Sequence, residues 1–159
     1  MKSAGHSLLS AKAPAFFLFS LFFTFPVRGV TACAEQGDSA SVAKIRSRAA
    51  NQHEIVMLLI QKKEFDQAAT EACKIFDMDW PANMEPLLLT ELQILSKKFK
   101  DEGQPAVALR VLDANTKAFK SKGSEIWIWN EKGYLYKSMK QNDKALECFR
   151  KAQRLEEGK

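Results

Sequence analysis

Glycine, proline and histidine are all scarce in this chain of 159 residues. Its 7 Gly and 5 Pro are too few for a turn-dense β-sandwich or a glycine-rich phosphate-binding architecture. Of its 2 His, His6 lies in an N-terminal segment predicted to be an export signal, so no His pair remains for a metal site. The sequence also lacks the CxxC, HExxH, GxSxG and GxxxxGK[ST] patterns of common metal, nucleophilic and nucleotide sites. We therefore expect neither an enzyme nor a bound cofactor.

A clustered excess of positive charge is also lacking. The net charge is +5, but Lys2, Lys12 and Arg28 lie within residues 1–32, which contain no acid. Removing those 3 from the 24 basic residues leaves 21 against 19 acidic residues, a net charge of +2. A nucleic-acid surface needs a concentrated basic patch, so we expect no nucleic-acid partner. Hydrophobic residues make up 46% of the chain, which is enough for one packed domain.

Residues 1–34 are predicted to be an export signal. A basic start precedes the apolar run of residues 13–27, which is shorter than the roughly 20 residues of a membrane span. Ordinary signal peptidase could use the small residues 32–34, whereas residues 30–33 (VTAC) resemble a bacterial lipobox in which Cys33 would be lipidated. Arg28 fits neither alternative well, and an uncleaved anchor or a segment that is rarely translated also stay open. We expect an exported protein, periplasmic or held at a membrane through this segment or its lipid, and a cytoplasmic one if the segment is not translated.

The rest of the chain shows a helical pattern. Residues 35–41 are small and polar and predict a linker, and residues 42–159 predict one helical domain. Apolar residues recur there with a period of 3.6, and the pattern is interrupted at Pro81, Gly103 and Gly123. Six helices in three hairpins are expected, with Asn83 as the cap of the third helix, over residues 41–62, 65–76, 87–102, 105–120, 125–139 and 143–157.

The last hairpin contains a spaced set of aromatic and small residues. The set consists of Trp129, Gly133, Tyr136, Ala145, Phe149 and Ala152. It resembles the signature of the tetratricopeptide repeat, in which small residues let helices approach and large ones fill the space between them. Residues 126–159 fill one such unit.

The two upstream hairpins match this signature more weakly. The middle hairpin offers Leu92, Ser96, Phe99, Ala108 and Leu112, and the first offers Gln52, Val56, Leu59, Ala68 and Ala72. The spacing between equivalent residues drifts, so longer loops between the repeats are needed. The resemblance implies an all-α, right-handed α-solenoid of three antiparallel helix hairpins.

Such a solenoid implies an interaction module that binds a peptide or protein segment in a concave groove, here helping to assemble an envelope complex. The groove is expected on the face of each first helix that does not pack on its own partner. Trp127 and Tyr134 are the predicted anchors, with weak self-association as the rival explanation of their exposure. Three lysines together suit a partner with an acidic segment, although each alone is better explained as a solubilising charge. The predicted groove residues are His53, Met57, Ile60, Gln93, Lys97, Lys100, Trp127, Asn130, Tyr134 and Lys137.

The alternative function is a small thiol-dependent enzyme or redox protein that uses Cys73 or Cys148. Both cysteines fall on second helices, in the first and the third hairpin, which is too far apart for a disulfide. Small residues at these places are typical of helix packing. We therefore expect two unpaired packing thiols.

Overall fold

The computed structural model describes residues 33–158, and the predictions for residues 1–32 lie outside that range. Six α-helices and no strand are found in the described part. Consecutive helices pack as three hairpins, α1 with α2, α3 with α4 and α5 with α6. This is the predicted all-α solenoid of antiparallel hairpins. The helices are α1 Cys33–Gln61, α2 Phe65–Phe76, α3 Glu85–Asp101, α4 Pro105–Asn115, α5 Lys122–Ser138 and α6 Asn142–Glu157.

Several of the predicted boundaries are wrong, among them the start of α5, which lies at Lys122 and not at residue 125. Residues 35–41, predicted as a linker, lie inside α1, and the segment contains no proline that would interrupt the helix. Helix α4 was expected to reach about Lys120 but ends at Asn115. The Asn115 side chain donates from Nδ2 to the carbonyl oxygen of Val111 at 2.7 Å, and the chain continues as a short 3₁₀ turn.

The predicted cap of α3 is also corrected. Asn83 lies in a 3₁₀ turn over Ala82–Met84, and Met84 is the residue that precedes the helix. No side chain caps this end of α3. Pro86 lies in the first turn as expected, where its missing N–H has no partner to lose.

The three hairpins share one turn between their helices. Each turn contains one residue with left-handed backbone conformation. In chain order these are Lys63 with φ of 64°, Gly103 with φ of 73° and Lys140 with φ of 61°. In each turn the next residue donates its N–H to a carbonyl five residues back, through the pairs Glu64 to Leu59, Gln104 to Phe99, and Gln141 to Tyr136. Only glycine adopts this conformation without a steric cost. The hairpins are therefore copies of one structural unit despite their weak sequence similarity.

The core lies between the hairpins. Helix α2 packs on α4, and α4 packs on α5. Small residues predicted at the crossings, Ala68, Ala108 and Ala145, are all buried. The fully buried larger side chains include Ile75, Leu92, Leu95, Phe99, Val111, Leu112 and Leu135. The second helices α2 and α4 thus pack on each other, and α4 in turn packs on the first helix of the last hairpin.

The carboxylate of Glu85 ties the start of α3 to the start of α5. It accepts hydrogen bonds from the backbone N–H groups of Lys120 at 3.1 Å and Ser121 at 3.0 Å, and from the Ser124 hydroxyl at 2.7 Å. The hydrogen bonds from Ser121 and Ser124 lower the pKa of Glu85 to about 2. The ionised side chain of Glu85 therefore fixes the position of α3 relative to α5.

Candidate peptide-binding groove

Helices α1, α3 and α5 form one continuous surface, here called the groove face: the side of these helices that points away from α2, α4 and α6. His53 on α1 donates from Nδ1 to Oε1 of Glu91 on α3 at 2.6 Å. The Ser96 hydroxyl on α3 donates to Oε1 of Glu131 on α5 at 2.9 Å. These two contacts join the three helices side by side and set how far each is shifted along its neighbour.

The contacts of α3 identify the strip of that helix that faces a ligand. Glu91 points towards α1 and Ser96 towards α5, while Leu92 is buried in the core. With 100° between successive residues, the remaining strip contains Leu87, Thr90, Ile94 and Lys97. Leu87 and Ile94 are large apolar residues with exposed fractions of 44% and 45%.

Sequence reasoning missed Leu87 and Ile94 as groove residues. The predicted positions on α3 were transferred from the third hairpin, which has Ser124 and Glu131 at the equivalent places. The signal was nevertheless present, because two large apolar residues lie seven apart on the side of α3 opposite the buried Leu92.

The third hairpin presents two aromatic residues on the groove face, as predicted, but both also pack within the protein. Tyr134 has an exposed fraction of 56%, and its ring meets that of Phe149 edge to face with centroids 5.1 Å apart. Trp127 is half-buried and packs against the core. The exposure of each ring is therefore accompanied by packing within the protein. Asn130 is half-buried and Lys137 is exposed.

The first hairpin contributes less than predicted. Ile60 is fully buried with Val56, four residues earlier on α1, so its place in the groove was wrong. The side of α1 that carries both residues faces the core rather than the open surface. Met57 is half-buried and packs against the core, and the imidazole of His53 is occupied by Glu91.

Most of the predicted positive charge on the groove face is neutralised. Lys97 pairs with Asp101 at 2.5 Å, and Lys100 pairs with Glu131 at 3.1 Å. Lys137 has no ion pair with another described residue. Gln93, the remaining predicted residue, is half-buried on the side of α3 that faces α5. The face is therefore less cationic than its lysines alone predict.

An apolar strip crosses the groove face. Side-chain contacts between neighbouring first helices set how far one is shifted along the other. Residue 53 contacts residue 91, and residues 96 and 100 both contact residue 131. At that shift Met57, Ile94 and Trp127 come to the same level on α1, α3 and α5. A cavity of about 370 Å³ opens one to two turns away between α1 and α3, and its lining includes Ala50, Trp80, Leu87 and Leu88.

The cysteines are buried rather than presented at this face. Cys148 is buried, and burial raises the pKa of its thiol, which disfavours the nucleophilic thiolate. Cys73 is half-buried, and Nδ2 of Asn115 lies 3.5 Å from its sulfur. Both thiols are free, and residues 33–158 contain no group of three acidic, His or Cys side chains placed to hold a metal.

The signature residues of the last hairpin occupy the places that a repeat requires. Ala145 and Ala152 are buried, Gly133 contacts Phe149, and Trp129 and Tyr136 are half-buried. No curated protein and no solved structure is significantly similar to the chain. The family model of the tetratricopeptide repeat matches residues 126–158, so the predicted family resemblance is confirmed for the hairpin of α5 and α6.

Proposed function

We propose that this protein is a non-enzymatic interaction module that binds a peptide segment of a partner protein on its groove face. The observation that carries the proposal is the apolar strip, in which the exposed Ile94 is flanked by the half-buried Met57 and Trp127. Exposed apolar surface bordered by polar residues is typical of interaction sites, and aromatic residues contribute strongly to binding. The tetratricopeptide similarity of α5 and α6 supports the same class of function.

The surroundings of the strip define the kind of peptide that fits. The cavity beside Leu87 is lined mainly by apolar side chains and has room for a large apolar side chain of the partner. The exposed ring of Tyr134 lies beyond the strip, close to the unpaired Lys137. We therefore propose a partner segment with large apolar residues, followed by an acidic residue near Lys137.

The location of this module is part of the proposal. The apolar run of residues 13–27 and the lipobox-like residues 30–33 favour export, with attachment to a membrane through the N-terminal segment or a lipid on Cys33. No helix of residues 33–158 is long and apolar enough to cross a membrane. A three-repeat stack attached in this way would recruit or assemble a multiprotein envelope complex.

One pair of variants tests the groove face. Ile94→Asp places a charge in the centre of the strip, and Leu146→Asp makes the same change on α6, where the exposed fraction is a similar 49%. In a pull-down from membrane extract, we expect the wild type and Leu146→Asp to capture the same partner and Ile94→Asp to lose it. Equal capture by all three proteins, each with an unchanged circular dichroism spectrum, would overturn the proposal.

A further inference from the structure

The side of α1 opposite the core carries a row of cationic and apolar residues. They recur at intervals of four and three, so at 100° per residue they fall within an arc of about 80°. All of them are exposed. This row, here called the edge stripe, consists of Lys44, Arg48, Asn51, Ile55 and Leu58 on α1 and of Lys62, the first residue after α1.

The charges of the edge stripe have one sign and no partners. Lys44, Arg48 and Lys62 form no ion pair with any other residue of the described chain, whereas seven other lysines and arginines in it do. Between these cations, Ile55 and Leu58 have exposed fractions of 44% and 56%. A surface that combines unpaired cations with exposed large apolar residues fits an anionic partner with an apolar layer.

Of the neighbouring acidic groups, the exposed Glu54 offsets part of this charge, whereas Glu71 is already paired with Lys74. Glu54 lies on one flank of the stripe and Glu71 of α2 on the other. The Glu71 carboxylate accepts hydrogen bonds from Lys74 at 2.7 Å and Gln52 at 2.6 Å, and the hydrogen bond from Lys74 is the largest cause of its lowered pKa. A second copy of the stripe would bring like charges together, which disfavours pairing of two copies through this surface.

The position of α1 in the chain indicates which anionic partner is near. The helix begins at Cys33, six residues after the apolar run of residues 13–27 ends. With a rise of 1.5 Å per residue, Lys44 lies only about 17 Å from the start of the helix. A membrane that receives the N-terminal segment, or a lipid on Cys33, is therefore within reach of the edge stripe.

We propose that the edge stripe docks on the surface of a membrane that contains anionic phospholipids. Lys44, Arg48 and Lys62 contact the phosphates, and Ile55 and Leu58 enter the boundary between headgroups and acyl chains. Met57 lies on α1 about 140° from the centre of the stripe. Docking therefore holds the helices parallel to the membrane and leaves the groove face open to a partner. The inference depends on the proposed membrane attachment but not on peptide binding.

The test uses the full chain in phosphatidylcholine vesicles, with or without about 30 mol% phosphatidylglycerol. An environment-sensitive fluorophore is attached at Leu58→Cys, or at Tyr134→Cys as a control of equal exposed fraction, 56% for both residues. The other cysteines are replaced in both proteins. We expect a blue shift at position 58 only with phosphatidylglycerol, reversed at about 0.5 M salt, and no shift at position 134.

Charge variants separate the sources of the shift. Lys44→Glu, Arg48→Glu and Lys62→Glu together should abolish it, whereas the same change at Lys120, Arg150 and Arg154 should leave it intact. A shift of equal size with phosphatidylcholine alone would show that the stripe does not recognise anionic lipid, and a shift already present without vesicles at low protein concentration would assign the stripe to another segment of this chain. A shift that appears in buffer as protein concentration rises would assign it to a second copy, and any of these results overturns the proposal. If a variant loses partner capture but keeps the blue shift at position 58, the result contradicts only the proposal for the groove face.

Discussion

The ring of Phe149 lies directly over Gly133, where the two helices of the last hairpin cross. A Cβ atom built on Gly133 would lie 2.6 Å from Cε1 of Phe149 and 2.7 Å from Cζ, closer than nonbonded carbon atoms can approach. The absent side chain lets the Phe149 ring pass between α5 and α6 and reach Tyr134 at 5.1 Å on the groove face. Packing of the hairpin and presentation of the exposed tyrosine therefore depend on one glycine.

We predict that Gly133→Leu lowers the free energy of unfolding by about 1–3 kcal/mol, because the added side chain overpacks the crossing. Urea denaturation measures the change. Gly123→Ala is the matched control, since nothing lies within 4 Å of that position, and we expect it to be neutral or slightly stabilising. Equal stability of the wild type and Gly133→Leu would contradict the assignment of residues 126–159 to a repeat.

The hydrogen bonds that the Glu85 carboxylate accepts predict a dependence of stability on pH. The pKa of Glu85 is about 2 in the folded protein against an ordinary 4.5, so its stabilising effect is present above pH 4.5 and is lost as pH falls towards 2. At neutral pH we expect Glu85→Gln to cost about 1–2 kcal/mol after allowance for solvent screening.

Urea midpoints of the wild type and Glu85→Gln should converge between pH 4.5 and the lowest pH at which the protein folds. Glu125→Gln is the control, because Glu125 is exposed in the first turn of α5, the helix that Glu85 contacts, and its side chain forms no hydrogen bond with another described residue. A difference between the wild type and Glu85→Gln that stays constant over this pH range would show that Glu85 does not act through its charge.

The sequence predicted the helices well where local signals end them. Helix α2 has the predicted bounds, residues 65–76, because it starts after a hairpin turn and ends before the break that contains Pro81. The prediction failed where an end is set by a distant contact. Helix α4 ends at the buried Asn115, whose Nδ2 lies 3.5 Å from Sγ of Cys73 on α2, and at the start of α5 the N–H of Ser121 donates to the carboxylate of Glu85.

The groove was harder to predict because exposure depends on neighbouring hairpins. Ile60 and Lys137 occupy equivalent places in the first and third hairpins, yet the first is buried against the core and the second is exposed. Lys100 and Glu131 are 31 residues apart in the chain, so no local pattern reveals that they pair. A signature transferred between repeats predicts which side of a helix is open, but not which charges remain free.

The two internal cysteines should differ in their reaction with maleimide on the folded protein. Cys148 is buried, and burial raises the pKa of its thiol, so we expect it to stay unlabelled until the protein unfolds. Cys73 is half-buried and should react slowly. Peptide mass mapping after timed labelling gives both rates. Fast labelling of Cys148 in the native protein would favour the alternative of a thiol-dependent enzyme.

Truncation of the two groove aromatics should separate binding from stability. Tyr134 is the more exposed of the two, so Tyr134→Ala should weaken partner binding by about 2 kcal/mol and lower stability by no more than about 1 kcal/mol, the value of its edge contact with Phe149. Trp127 packs against the core, so Trp127→Ala should lower both binding and stability, the latter by about 2 kcal/mol or more.

Light scattering on the same two variants distinguishes the groove from self-association. If Tyr134 binds a partner, the variant keeps the mass of the wild type and loses the partner in a calorimetric titration with the captured protein. If the exposed ring instead holds two copies together, Tyr134→Ala changes a dimer into a monomer. The second result would contradict the groove, because Tyr134 would then be covered by another copy of the chain before any peptide could reach Ile94.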